Sequence, residues 1–409
     1  MTVVDQVLGW FSGSGVSQSG GWLPGQRQGV ARQSARRRWI NRRIGFRGLM
    51  LGLAMVCGPW GAGSAATAAQ LTDLKGRVVA VPDRASKISI DDGRFLVALA
   101  LIQADPVKHL AAWPRDIHRI GAATYAQYKA KFPALDKLPQ VASSAGSFNL
   151  EAVLSAAPDV AVVSVGSGPT DAQMAQLKAV GIPVVFIDFF DNPFKNQETS
   201  LRILGQLTGS EAKASEYIAF RRQRLDKIAQ RVAKLPTKDR PTVFLEAHAG
   251  MTRDCCNSPG RGNMGEYIDF VGGHNIGADV LKAPTGKLNL EYVISRDPKV
   301  YIATGGAHLE KAGGLVLGAG YEQAQTRASL VKIAQRQGIA QLSAIEQGRT
   351  HGLAHQLINS PIDIVAIEAF ATWVHPELFG DVDQAKTLAE INQRFLAVPY
   401  TGTGWVSLK

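Results

Sequence analysis

The chain has 409 residues, 45% hydrophobic and 19% charged, which is enough apolar material for two ordinary domain cores and excludes a disordered or fibrous protein. An aromatic share of 7% and the lack of any 20-residue apolar run exclude a polytopic membrane protein. The net charge of +11 is not a nucleic-acid footprint, because eight arginines against one aspartate in the first 69 residues supply +7 of it and the rest of the chain is nearly balanced.

Those arginines have a local meaning. Arg36, Arg37, Arg38, Arg42, Arg43 and Arg47 precede a short apolar run over residues 49–56, and small residues follow as far as Ala66-Thr67-Ala68. A positive segment, a short apolar segment and an A-x-A site in this order form a secretory signal peptide, here cut near Ala68, so residues 1–68 are an extension and leader and the protein is exported. Arg42-Arg43 leaves the twin-arginine and general secretory routes both open. A lipid anchor on Cys57 is disfavoured, since Val56 stands where a lipid-modified cysteine needs a small residue before it.

Beyond the leader, strand and helix signals alternate, which predicts parallel α/β sheets. Residues 77–81 form the first expected strand, and residues 184–188 another after the turn Gly181-Ile182-Pro183. Residues 211–235 carry apolar side chains at Ala214, Tyr217, Ile218, Leu225, Ile228 and Val232 with basic residues between them, a long amphipathic helix. A new strand over 242–247 follows Pro236 and Pro241. The most informative feature is a repeat: residues 149–160 (NLEAVLSAAPDV) recur without a gap as residues 289–300 (NLEYVISRDPKV). In each copy Asn caps a helix, Glu sits in its first turn, Leu and Val form the buried stripe and Pro closes it, and a β-rich run follows at 160–164 and 300–304. The chain therefore divides into an amino-terminal α/β lobe (69–208), a connecting helix (209–236) and a carboxy-terminal α/β lobe (237–409).

Gly260-Arg261-Gly262-Asn263-Met264-Gly265 fits a dinucleotide fingerprint in letters only, because the immediate strand-to-helix turn is missing; it reads as a loop leading to a helix. Cys255 and Cys256, the cysteine pair of the exported part, are expected to close a vicinal disulfide that stiffens its loop and presents a flat face to a ligand. No G-x-S-x-G elbow, H-E-x-x-H or phosphate loop is present, and the sequence reads as a binding protein and not an enzyme.

The two N-L-E-x-V segments, the segment Gly265-Glu266-Tyr267-Ile268-Asp269-Phe270-Val271-Gly272-Gly273-His274-Asn275-Ile276, and the stretch from Ser360-Pro361 to His375-Pro376-Glu377-Leu378-Phe379 together carry a resemblance. The chain resembles, over nearly all its exported length, the periplasmic binding proteins that serve ABC importers of ferric siderophores, haem and cobalamin. The resemblance implies two Rossmann-like lobes joined by a single long helix, a ligand cleft between them, a monomer in the periplasm, and a permease dimer with its ATPase as partners. A ferric siderophore is the expected ligand; haem, cobalamin, another metal complex, or a sensor role on the same fold are the alternatives. No cofactor is expected. One glutamate per lobe is implied to dock on the permease, and those positions fall on Glu151 and Glu291.

Ligands of open parallel sheets bind beyond the carboxyl ends of strands, and a bulky, anionic, partly aromatic chelate calls for cations and aromatic faces. Arg84, Phe148, Phe189, Phe190, Arg253, Arg327 and His351, with the Cys255-Cys256 ring, are the candidates that follow. His248, His308, His351 and His355 are potential metal donors, but no two have a recognised metal spacing, so no metal site is assigned.

Overall fold

A computed structural model describes residues 68–408 except residues 253 and 359. All of the expected leader but its last residue, Ala68, lies outside these residues. The first two strands, β1 (Ala68–Thr72) and β2 (Val78–Pro82), pair antiparallel as a separate hairpin. The amino-terminal sheet is built instead from β3 (Ile88–Ile90), β4 (Leu110–Ala112), β5 (Val160–Ser164) and β6 (Val184–Ile187), in the order β4-β3-β5-β6 and parallel throughout. Every residue of β5 and β6 is buried, as strands covered by helices on both faces must be.

In the second lobe β7 (Thr242–Glu246) is followed by β8 (Asn257–Pro259), β9 (His274–Asn275), β10 (Thr285–Lys287), β11 (Val300–Gly305), β12 (Thr350–Ala354) and β13 (Trp405–Ser407). The sheet runs β13-β12-β11-β7-β9, with β13 the one antiparallel strand, while β8 and β10 pair off to one side.

The sequence repeat is a structural repeat. Helices Leu150–Ala156 and Leu290–Arg296 each feed a central strand, β5 between β3 and β6, and β11 between β12 and β7. Asn149 Oδ1 accepts from the Ala152 amide at 3.0 Å and Asn289 Oδ1 from the Glu291 amide at 2.7 Å, so both caps form. Both helices end one residue before the proline, at Ala157 and Asp297, in the left-handed region with φ of 44° and 38°. The proline behind each disfavours a helical conformation in its predecessor, which explains the stop.

The connecting helix runs Glu211–Val232, three residues short of the expected end, and at 1.5 Å per residue spans about 33 Å. Its buried face carries the expected apolar stripe together with one ion: Arg221 is fully buried and forms a fork with Asp363, with bonds of 2.8 and 2.7 Å. Gln197 and Tyr217 donate to the Pro361 carbonyl beside it, at 2.7 and 2.8 Å. The helix is thus pinned to the start of helix Ile364–Val374 in the second lobe. Both lobes and this helix belong to one compact unit, and no helix among the described residues is long and apolar enough to cross a membrane.

Candidate functional site

Three neighbouring strands of the second sheet each end in a loop that delivers an imidazole to the carboxyl edge. His248 follows β7 with a left-handed φ of 53°, His308 sits in the 3-10 turn Ala307–Leu309 after β11, and His355 opens the turn His355–Ile358 after β12. Gly305 makes the middle delivery possible, since a Cβ there would stand 2.1 Å from the Leu315 carbonyl oxygen. His248 Nδ1 and His308 Nε2 are 2.8 Å apart, and the His248 and His355 ring centroids 3.9 Å. Thr304 ties the group together: its hydroxyl accepts from the His248 amide at 3.0 Å and contacts His355 Nδ1 at 3.0 Å.

These rings are neutral at pH 7. Burial, with His308 alongside, pushes the His248 pKa down to about 4. Burial holds His355 far below the ordinary imidazole value, and burial with nearby His118 lowers His308. Neutral imidazoles keep their lone pairs for a metal or a hydrogen-bond donor. Among the described residues no three His, Cys, Asp or Glu side chains converge as a ready metal cage.

The first lobe faces them with Arg94, Asp191 and Phe190. Arg94 opens the helix Arg94–Ile102 just past β3; its Cζ lies 3.1 Å from the Phe190 ring centroid, and its Nε and Nη2 donate to Asp92 at 2.9 and 2.8 Å. Asp92 also receives Arg119 at 2.5 Å. Beneath, the Asp91 carboxylate accepts from the Ser164 amide and hydroxyl and the Ser167 hydroxyl, yet burial outweighs these bonds and raises its pKa to about 7. Asp191, past β6, shares a cavity of about 670 Å³ with His248, His355 and Asn263 from the other lobe. Asn263 Nδ2, at the edge of that cavity, donates to the Phe190 carbonyl of the first lobe.

The candidates read from the sequence scatter. Phe190 stands at the cleft, 8% exposed, under Arg94. Phe189 has no exposure and packs on Phe95, and Phe148 is half-buried against the Val153 side of the first lobe's core. Arg84 lies at the amino end of β3, where a Cβ on Gly209 would stand 2.6 Å from its Nη1, far from the carboxyl edge. The expected strand over residues 77–81 puts Arg84 in the loop past its carboxyl end; β2 is a strand of the separate hairpin and not of the sheet, so that placement does not hold. His351 is a core residue on β12, 4% exposed, stacked on Trp373 at 4.7 Å with Nδ1 bonded to Ser407 Oγ at 2.8 Å. Arg327 is on the outer helix Gln323–Ala334 and donates to the Ser407 carbonyl at 2.7 Å, on the edge strand. Arg253 lies outside the described residues. Cys255 and Cys256 are bonded to each other across a cis peptide; Cys256 has no exposure and Cys255 packs half-buried on the core. Glu151 and Glu291 are exposed in the first turns of the repeat helices.

Arg94 and Asp191 were missed, along with the meeting of the three histidines. The signal for the histidines was present, since each falls within three residues of a strand's carboxyl end.

Two parallel α/β sheets whose carboxyl edges line one cleft, bridged by a long helix, define a two-lobed solute-binding protein. The chain belongs to the periplasmic binding protein family, whose profile matches residues 97–356. It is similar to the TroA-like periplasmic binding protein FepB from Veillonella parvula, with 26% identity, a TM-score of 0.75, and coverage of 83% of this chain and 99% of that one. The fold also matches Helicobacter pylori CeuE, solved as a Ni-His complex, with 15% identity, a TM-score of 0.58, and coverage of 81% and 96%. In sequence it is 20% identical over 267 residues to YvrC of Bacillus subtilis, an uncharacterized ABC transporter substrate-binding lipoprotein, covering 64% of this chain and 74% of that protein.

Proposed function

We propose that this protein is the periplasmic substrate-binding component of an ABC importer for a metal chelate, a ferric siderophore in the first instance, and that it hands its ligand to a membrane permease. The observation that carries the reading is the cleft itself: a cavity of about 670 Å³ is lined by His248, His355 and Asn263 from one lobe and Asp191 from the other, with His308 Nε2 2.8 Å from His248 Nδ1. Such a wall suits a ligand that combines a metal with a bulky organic shell. Family membership and the likeness to FepB and to an ABC substrate-binding lipoprotein support the importer class.

Native mass spectrometry of the exported chain tests this, with a ferric tris-hydroxamate, a ferric tris-catecholate, haem, cobalamin and free metal ions as probes. A one-to-one iron-chelate complex is expected. Haem or cobalamin binding alone would move the substrate within the importer class, and binding of none of the probes would argue for a sensor role.

A further inference from the structure

We propose that the Cys255–Cys256 disulfide is a site of reversible thiol–disulfide exchange with a dithiol, and that its redox state decides how firmly one wall of the cavity is held. The pair sits where the loop that leaves β7 turns back as β8. His248 and Met251 early in that loop and Asn257 and Ser258 just past it line the cavity; neither cysteine does. Cys256 has no exposure, and Cys255 is half-buried on the core. Two backbone bonds hold the returning strand. The Leu288 amide donates to the Cys256 carbonyl at 2.9 Å and the Ala247 amide to the Asn257 carbonyl at 2.8 Å. The β8–β10 ribbon, whose Thr285, Gly286 and Lys287 complete this wall, is anchored by them.

The bond is ill suited to be a structural staple. A disulfide restrains the unfolded chain more the longer the loop it closes, and this one joins neighbours and ties no distant segments together. Adjacency favours reversal instead, because the two sulfurs stay side by side after reduction and find each other again without a search. The exchange also has a direction. A thiolate of the incoming dithiol attacks Cys255 Sγ, the half-buried sulfur; the S–S bond breaks, and Cys256 leaves as a thiolate that takes up a proton, since its enclosed site disfavours the charge. The second thiol of the reagent, as its thiolate, attacks the mixed disulfide, releases Cys255 to be protonated, and departs within a disulfide, so two electrons and two protons pass to the protein. A monothiol lacks that second step, and the neighbouring Cys256 expels it from the mixed disulfide. Two thiols need more room than two bonded sulfurs. Cys256 is enclosed in a close-packed core, so Cys255 and the backbone around it give way, and the anchor of the ribbon loosens.

The test uses the exported chain, whose cysteines are this pair, with no ligand added. Alkylation of the unreduced protein is expected to label neither cysteine. Millimolar dithiothreitol under native conditions makes the protein heavier by two hydrogens, leaves its thermal unfolding cooperative and lets phenylarsine oxide, a reagent for paired thiols, bind one to one. Glutathione at equal thiol concentration leaves the bond closed. Hydrogen exchange read by mass spectrometry then quickens by about tenfold or more over residues 247–258 and 285–288 and stays unchanged over β5. Cys255→Ser matches the reduced wild type and ignores dithiothreitol, and Cys255→Ala with Cys256→Ala, apolar at the buried position, gives the same reading if the serine variant does not fold. Two free thiols in the isolated protein, resistance to dithiothreitol until the whole chain unfolds, equal reduction by glutathione, or unchanged exchange over those segments after reduction overturns the proposal.

Discussion

Asp91 shows how the site strains against its own stability. Its carboxylate accepts from the Ser164 amide and from two hydroxyls, yet the proton stays on until about pH 7, because desolvation of the charge exceeds what those bonds return. The unfolded chain releases that proton near 3.8, so between about pH 4 and pH 7 the folded state binds more protons and stability falls as pH rises; above 7 the loss is complete. The shift corresponds to at most about 4 kcal/mol. Asp91→Asn keeps the size and an acceptor for the Ser164 amide but cannot ionise. In urea unfolding at pH 4.5 and pH 8 the variant should gain on the wild type by about 1–3 kcal/mol as pH rises. A pH-independent difference would show that Asp91 titrates as an ordinary carboxylate. At this scale the sequence was legible by position and not by partner. His248, His308 and His355 sit just past strand ends, as the carboxyl-end rule requires, but residues 60 and 47 positions apart meet only through strand pairing, which no spacing motif encodes. Arg94 was overlooked because β3 is three residues long and gives almost no periodic signal.

Among the elements, the connecting helix was the most legible and holds the largest surprise. Apolar residues at helical spacing over residues 211–235 fix its existence and buried face, and the two Asn-Leu-Glu caps mark where the repeat helices start. Arg221 reads in the sequence as one of the basic residues on the wet side, yet it is fully buried against Asp363, 142 residues away. Such a pair is held by its fork geometry and by Tyr267, whose hydroxyl donates to Asp363 at 3.0 Å. Removing one partner strands the other charge in the interior, so Arg221→Ala or Asp363→Ala should each cost about 3–5 kcal/mol in chemical denaturation. Replacing both, as Arg221→Met with Asp363→Leu, should recover most of that loss, because apolar packing substitutes for a buried ion pair at similar volume. If the double variant is as unstable as either single one, the pair carries net stability of its own. The short edge strand β13 and the β8–β10 ribbon escaped detection for the reason β3 did: three residues leave no alternation to read.

At the scale of the whole molecule the repeat places the same exposed carboxylate at the same point of each lobe. Glu151 and Glu291 follow a capping asparagine, sit in the first turn of a helix that leads to a central strand, and face solvent. Neither makes a contact that the fold needs, and the helix dipole accounts for only about 0.3–1 kcal/mol at each. Exposed carboxylates so placed, one per lobe, suit a partner that touches both lobes at once and reads charge. On this reading a permease would engage both, and the two contacts would reinforce each other through a shared rigid body. Glu151→Ala with Glu291→Ala should leave chelate affinity within about twofold, since neither lines the cavity beside His248 and His355, and should lower stability by no more than about 2 kcal/mol. Uptake of labelled chelate by cells carrying only the double variant should be lost, with each single variant intermediate. Charge reversal to lysine at both sites should abolish uptake as completely, again with the ligand still bound in isolated protein. Loss of affinity in the double variant would place these glutamates in ligand binding, and normal uptake would remove them from docking altogether.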